Sequence, residues 1–85
     1  MNDFDRDILK WILRAILAAR GPMPETGLKL SIRGAFPNVA FTDGDLVGHI
    51  KTAEEKNLIA GTNDDVAGVV WDLTPKGKIK AQQSR

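Results

Sequence analysis

Ile8, Ile12, Ala15, Ile16 and Ala19 recur at the spacing of one helix face, and Arg6, Lys10 and Arg14 line the other side. The pattern predicts a helix over residues 4–19, with Asp3 as N-cap, Asp5 in the first turn and Gly21-Pro22 as the stop. Leu9, Trp11, Leu13 and Leu17 widen the apolar arc. Two readings stay open: the helix is central to a small core, or part of it meets a second copy in a homodimer. Met23, between two prolines, predicts a very short extended segment. Thr26 is then placed to cap a second helix over 26–35, buried through Leu28, Ile32 and Ala35. Pro37 excludes a helical Phe36, so residues 36–41 are a connection.

A third helix is predicted over 43–56. Thr42 with Asp45 makes a capping-box variant, and Phe41 can pack on Leu46 as a hydrophobic staple. Its buried stripe is Leu46, Val47, Ile50 and Ala53, and Asn57 ends it in the left-handed conformation. Residues 58–73 read as a hairpin around a polar turn, Thr62-Asn63-Asp64-Asp65, with a second strand running from Val66 to Leu73. Val69, Trp71 and Leu73 form its buried side. Thr74-Pro75 is a cap followed by a first-turn proline. It opens a final helix over 75–83, with Ile79 facing in and the Ser84-Arg85 end frayed.

Helix, short strand, helix, helix, hairpin, helix is the order of a winged helix-turn-helix domain, and the local text is similar to that family. "AEEKNLIAG", residues 53–61, resembles the family's passage from recognition helix to wing. "VVWDLTPKGKIKAQ", residues 69–82, resembles the "YxLTxKG" stretch that ends the wing and starts the last helix. The resemblance covers roughly residues 46–82 and extends to bacterial regulators of the MarR, PadR and ArsR kinds. It implies an α+β winged helix: a three-helix core, a two-stranded β wing and a short C-terminal helix. One departure stands out. The connection 36–41 is longer than the family's usual turn of about 3–4 residues and contains a proline.

Eighty-five residues allow one domain, here 1–85, and 42% apolar with 27% charged residues is an ordinary globular balance. The longest apolar run near the start, Ala15 to Ala19, is five residues, and Asp3, Asp5 and Asp7 stand where a signal peptide is basic. A soluble, cytoplasmic protein is expected, with no membrane partner. The net charge of +1 hides blocks. Residues 1–42 carry six basic and four acidic groups, residues 43–75 two and seven, and residues 76–85 four and none, giving +2, −5 and +4.

No cysteine is present and His49 is the single histidine, so no metal or cofactor is expected from this chain alone. Ser31 and Ser84, the only serines, have no base at suggestive spacing. Gly21, Gly27 and Gly34 do not make a phosphate loop. No catalytic residue is expected, and the chain is read as a non-enzyme.

In the resembled family the third helix enters the major groove. Its outer side here carries Gly44, Gly48, Lys51, Thr52 and Glu55, with His49 on the flank. Lys51, Thr52 and His49 are candidate nucleic-acid contacts; His49 also reads as a structural side chain at the core edge. Gly48 either admits another backbone or relieves crowding inside the fold. Lys29 and Arg33 on the second helix, and Lys76 and Lys78 after the wing with Lys80, are candidate phosphate contacts. Asp43, Asp45 and the Asn63-Asp64-Asp65 segment would repel phosphate; they also read as a cap and a soluble turn. Trp11 and Trp71 fit the core. Two functions follow as expectations. One is a small transcriptional regulator binding double-stranded DNA. The other is a protein–protein interaction module presenting its acidic third helix and wing to a basic protein partner.

Overall fold

Asn2, rather than Asp3, caps the first helix in the computed structural model, which describes residues 2–83. Its side chain accepts a hydrogen bond from the Asp5 backbone N–H at 2.8 Å. Asp3 therefore joins Asp5 inside the first turn, where the helix dipole favours carboxylates. This helix, α1, spans Asp3–Ala19 and ends on Arg20 in the left-handed region, φ 57°. Its buried face is Ile8, Leu9, Ile12, Leu13 and Ile16, while Ala19 is exposed. The arc has thus turned toward Leu9 and Leu13. The cause is the company α1 keeps, because a second helix, a third, a fourth and the central strand all pack on it. The central-core reading accounts for Ile8, Leu9, Ile12, Leu13 and Ile16, while Trp11, Ala15 and Leu17 of the same arc stay half-buried and Ala19 is exposed.

A two-residue strand, β1 (Met23–Pro24), follows, and α2 (Glu25–Ala35) starts directly after it. Thr26 lies within the first turn and does not cap it; Pro24 occupies the N-cap position without a side-chain bond. The proline keeps the φ its ring imposes, −58°, but its ψ of 144° is extended, so helical geometry begins only at Glu25. Glu25 is held in place by accepting from the Trp71 indole N–H at 3.1 Å. Leu28 and Ile32 are buried, and Phe36 leaves the helix at φ −125°, ψ 65°, as the proline after it requires.

The third helix, α3, spans Asp43–Glu55 with the expected reciprocal capping box: Thr42 Oγ1 accepts from Asp45 N–H, and the Asp45 carboxylate accepts from Thr42 N–H, both at 3.0 Å. Phe41 and Leu46 are buried in the same core cluster. Asn57 takes φ 60°, as expected of the residue that turns the chain out of α3.

The hairpin pairs β2 (Ile59–Asp64) with β3 (Gly68–Leu73). Its turn lies further along than the sequence suggested, at residues 65–67, so Thr62, Asn63 and Asp64 belong to the strand and Val66 is the tip, 96% exposed. Asp64 and Gly68 set that position. The Asp64 carboxylate accepts from the Val66 and Ala67 N–H groups at 2.8 and 2.9 Å, and Gly68 supplies the positive φ, 77°, that closes a three-residue loop. β3 is the central strand of an antiparallel sheet of order β1-β3-β2, with Met23 opposite Trp71 and Ile59 opposite Leu73.

The last helix, α4, spans Pro75–Gln83, and Thr74 Oγ1 accepts from Gly77 N–H at 3.0 Å. Ile79 does not face in; it is 58% exposed, and Gly77 and Ala81 are the buried positions. The reason is a backbone approach. The Gly77 Cα side faces the Leu58 carbonyl with no room for a methyl, which fixes the roll of α4 and turns Ile79 outward. The frayed end expected at Ser84-Arg85 lies outside the described residues. The result is an α+β domain of four helices and a three-stranded antiparallel sheet, with a hairpin after α3. Among the described residues no helix is long and apolar enough to cross a membrane.

Candidate nucleic-acid interface

The outer side of α3 carries Gly44, Gly48, Lys51 and Glu55, all exposed. A methyl added at Gly48 would meet no atom within 4 Å, so that glycine relieves no crowding inside the fold. Thr52 is half-buried, and its hydroxyl donates to the Gly48 carbonyl at 3.0 Å. Its one donor is engaged within its own helix; only its acceptor capacity remains for an outside group. His49 is half-buried in an aromatic cluster, edge-on to Phe41 at 6.2 Å and to Phe4 at 6.4 Å, the geometry aromatic rings favour. These ring contacts fit a structural side chain at the core edge.

A cleft of about 460 Å³ separates the start of α1 from α3. Asp5 and Leu9 of α1 form one wall, and Gly44, Asp45, Gly48, His49 and Thr52 of α3 the other. Asp45 is held below the usual carboxylate value by the Thr42 backbone N–H, then by the Thr42 side chain, and His49 adds a smaller pull. The cleft rim is therefore anionic at neutral pH.

Lys29 and Arg33 have internal partners. Lys29 Nζ lies 2.9 Å from Asp43 Oδ1 and 3.7 Å from Glu25 Oε2. The hydrogen bond to Asp43 is the main cause that raises its pKa. Arg33 Nη1 donates to the Phe41 carbonyl at 2.9 Å. Together they clamp α2 to the start of α3 across the long connection, a task the sequence did not disclose. Asp64, the last residue of β2, is held below the usual carboxylate value by the Ala67 N–H and then the Val66 N–H.

The remaining cations assemble differently from their order in the chain. Arg6 and Lys10 of α1, Lys76 and Lys80 of α4, and Lys56 at the end of α3 line one groove of about 340 Å³. Lys76 Nζ donates to the Lys56 carbonyl at 3.2 Å and so joins two of its walls. Lys78, between Lys76 and Lys80 on α4, lines a different hollow beside Asp72 and Arg20. Arg6, Lys10 and Lys76 were visible as two separate clusters, and Lys56 carried no signal in the text. Only the packing of α1 on α4 unites them.

No family model, no curated protein and no solved structure matches this chain.

Proposed function

We propose that the chain is a small winged-helix protein that binds double-stranded DNA and acts in transcriptional regulation. The observation that carries this reading is the uncovered outer side of α3 immediately before a hairpin. Gly44 and Gly48 leave its backbone open to close approach, and Lys51 is exposed beside them. What further supports it is the order of elements with a β1-β3-β2 sheet. Lys51 supplies the base or phosphate contact, and Thr52 can only accept there. Lys29, Arg33 and His49 act at one remove, by holding α3 in place. Titration of random-sequence duplex DNA, read by fluorescence anisotropy at several salt concentrations, tests it. Binding should weaken with salt by about 0.9 log units per log unit for each phosphate neutralised. Absence of binding at low salt refutes it.

A second reading rests on a specific observation, the Asp5–Asp45 cleft beside α3 together with Asp64 and Asp65 at the hairpin tip. On that reading the same side of the molecule receives a basic segment of a partner protein. Binding to a Lys/Arg-rich protein surface and not to DNA would favour it.

A further inference from the structure

The two edges of the sheet are guarded unequally. One is β1, two residues long and ending in Pro24, which has no N–H to offer a further strand. The other is β2, six residues long, with β3 on one side and no strand on the other. Ile59–Asp64 contains no proline and no lysine, and its register with β3 runs without a bulge, so the usual devices that blunt an edge are missing.

The alternation of an antiparallel ladder tells which groups point outward. Thr74 N–H donates to the Leu58 carbonyl, one step before the Ile59–Leu73 pair. Ala60, Thr62 and Asp64 are therefore the residues bonded to β3, and Gly61 and Asn63 turn their N–H and C=O away from it. Pro24 agrees with this phase: it stands opposite Val70, whose own groups face Thr62, so no donor is missed there. Ile59 shares the outward phase but is buried, which leaves Gly61 and Asn63, both exposed, as the open edge. Among the described residues no hydrogen bond beyond the strand pairing reaches either of them.

Charge decides what fits. The hairpin, residues 59–73, carries Asp64, Asp65 and Asp72 and no cation. Asp65 is exposed and makes no ion pair among the described residues. A second copy laid on this edge would bring its own Asp64 and Asp65, whereas a cationic segment brings the opposite charge. We propose that β2 accepts an extended, cationic segment of a partner protein as an added antiparallel strand. The segment bonds through Gly61 and Asn63, and the Lys or Arg at its N-terminal end lies beside Asp64 and Asp65. Backbone bonds supply affinity and the charge supplies direction. This takes its class of partner from the basic-partner reading and does not depend on whether α3 meets DNA.

The probe is the peptide Lys-Arg-Thr-Val-Thr-Val-Thr, acetylated and amidated, titrated into the isotope-labelled full chain at low salt and read by amide hydrogen exchange. In the free chain the Thr62 amide should exchange slowly and the Gly61 and Asn63 amides fast. Saturating peptide should slow those two by at least about tenfold. The same residues in reverse order, and a version with proline in place of valine, should each bind about tenfold more weakly. Asp65→Lys should weaken the peptide by about tenfold, with an unchanged circular dichroism spectrum. Gly61 is not varied, because the Trp71 ring stands 2.8 Å from where its Cβ would be. Asn63→Pro removes an outward donor and leaves the bonds to β3, and should weaken the peptide by at least about tenfold. Should it fail to fold, exchange in the wild type and Asp65→Lys decide. Equal binding of the reversed or proline peptide, or affinity untouched in the folded variants, would overturn the proposal. So would protection of Gly61 and Asn63 that grows with protein concentration alone, which would put a second copy on the edge. Peptide binding that perturbs Asp5 and Asp45 but leaves both edge amides fast would overturn strand addition while the basic-partner reading stands.

Discussion

Replacing Gly77 by alanine should damage the fold far more than an added methyl usually does. The new carbon would overlap the Leu58 carbonyl oxygen and stand 2.9 Å from the carbonyl carbon. Neither backbone is free to yield. Leu58 N–H donates to Ala53, and the Leu58 carbonyl accepts from Thr74 N–H, each at 3.1 Å. Thr74 Oγ1 also donates to the Asn57 carbonyl at 2.6 Å. Moving α4 away stretches this set and uncovers Ala81, which is 1% exposed. Overpacking costs about 1–3 kcal/mol and each strained hydrogen bond about 1 kcal/mol, offset by about 1 kcal/mol of helix propensity. The net is a loss of about 2–3 kcal/mol, a large part of the stability of a chain this size, and a fall in Tm of roughly 10–20 °C. The internal comparison is Gly48→Ala, in an exposed helix interior with nothing within 4 Å. It should gain about 0.5–1 kcal/mol. Thermal and urea melts followed by circular dichroism measure both. If Gly77→Ala melts with wild type, or if Gly48→Ala falls as far as Gly77→Ala, the packing argument for α4 is wrong.

Arg33→Ala should lower stability by about 1 kcal/mol, because the Phe41 carbonyl loses its donor. Its DNA affinity, measured on the folded fraction by anisotropy, should change little; a large loss of affinity at unchanged stability would return Arg33 to the phosphate contacts. Asp45 and Asp64 both have lowered pKa values, so their stabilising contribution is complete above the unfolded carboxylate value of 3.8 and is lost as pH falls through their folded values. Asp64→Asn keeps an oxygen that can accept from Val66 and Ala67 but no longer titrates; urea melts across the acid range should show a shallower loss than wild type, and an identical pH profile would contradict the assignment. Light scattering at micromolar concentration should return the monomer mass, since Ile8, Leu9, Ile12, Leu13 and Ile16 of α1 are all buried within the chain; a dimer mass would refute the reading that the core uses up the apolar face of α1.

What the sequence made legible was whatever a few neighbouring residues decide. The Thr42–Asp45 box, the left-handed Asn57, the Thr74-Pro75 start of α4 and the Pro37 stop all depend on local chemistry, and each is present. Two of the misreadings, at Ile79 and Thr26, fall where the deciding partner is distant. Ile79 has the best apolar pattern in α4, yet the close approach of Gly77 to Leu58, nineteen residues away in the chain, sets which side faces in. Thr26 is a good cap by type, but the pairing of Met23 with Trp71 and the Trp71–Glu25 bond start the helix earlier. The turn slipped because its signal is a side chain and a glycine four positions apart, Asp64 and Gly68, rather than a polar run. The candidate site followed the same rule. Lys51 was legible as an exposed residue, whereas the internal duties of Lys29 and Arg33 and the union of Arg6, Lys10, Lys56, Lys76 and Lys80 exist only in three dimensions.

Charge placement also decides how α3 can be approached. Its N-terminal half is bordered by Asp5 and Asp45, whereas its C-terminal half leads through Lys51 to Lys56. Asp43 is partly neutralised by Lys29, but Asp45 stays ionised because the Thr42 backbone holds its charge. A phosphate near the first turn is therefore repelled over a screening length of about 8 Å at physiological salt, and on the DNA reading a duplex is pushed away from the cleft toward Lys51. Asp5→Asn tests this without touching the α3 cap. On the DNA reading it strengthens binding at low salt, and the gain fades as salt rises. On the protein reading the same change removes attraction for a basic partner and weakens binding, again most at low salt. An Asp5→Asn variant that binds DNA as wild type does at every salt concentration would mean that the duplex never approaches this cleft, and the DNA reading of α3 would be wrong.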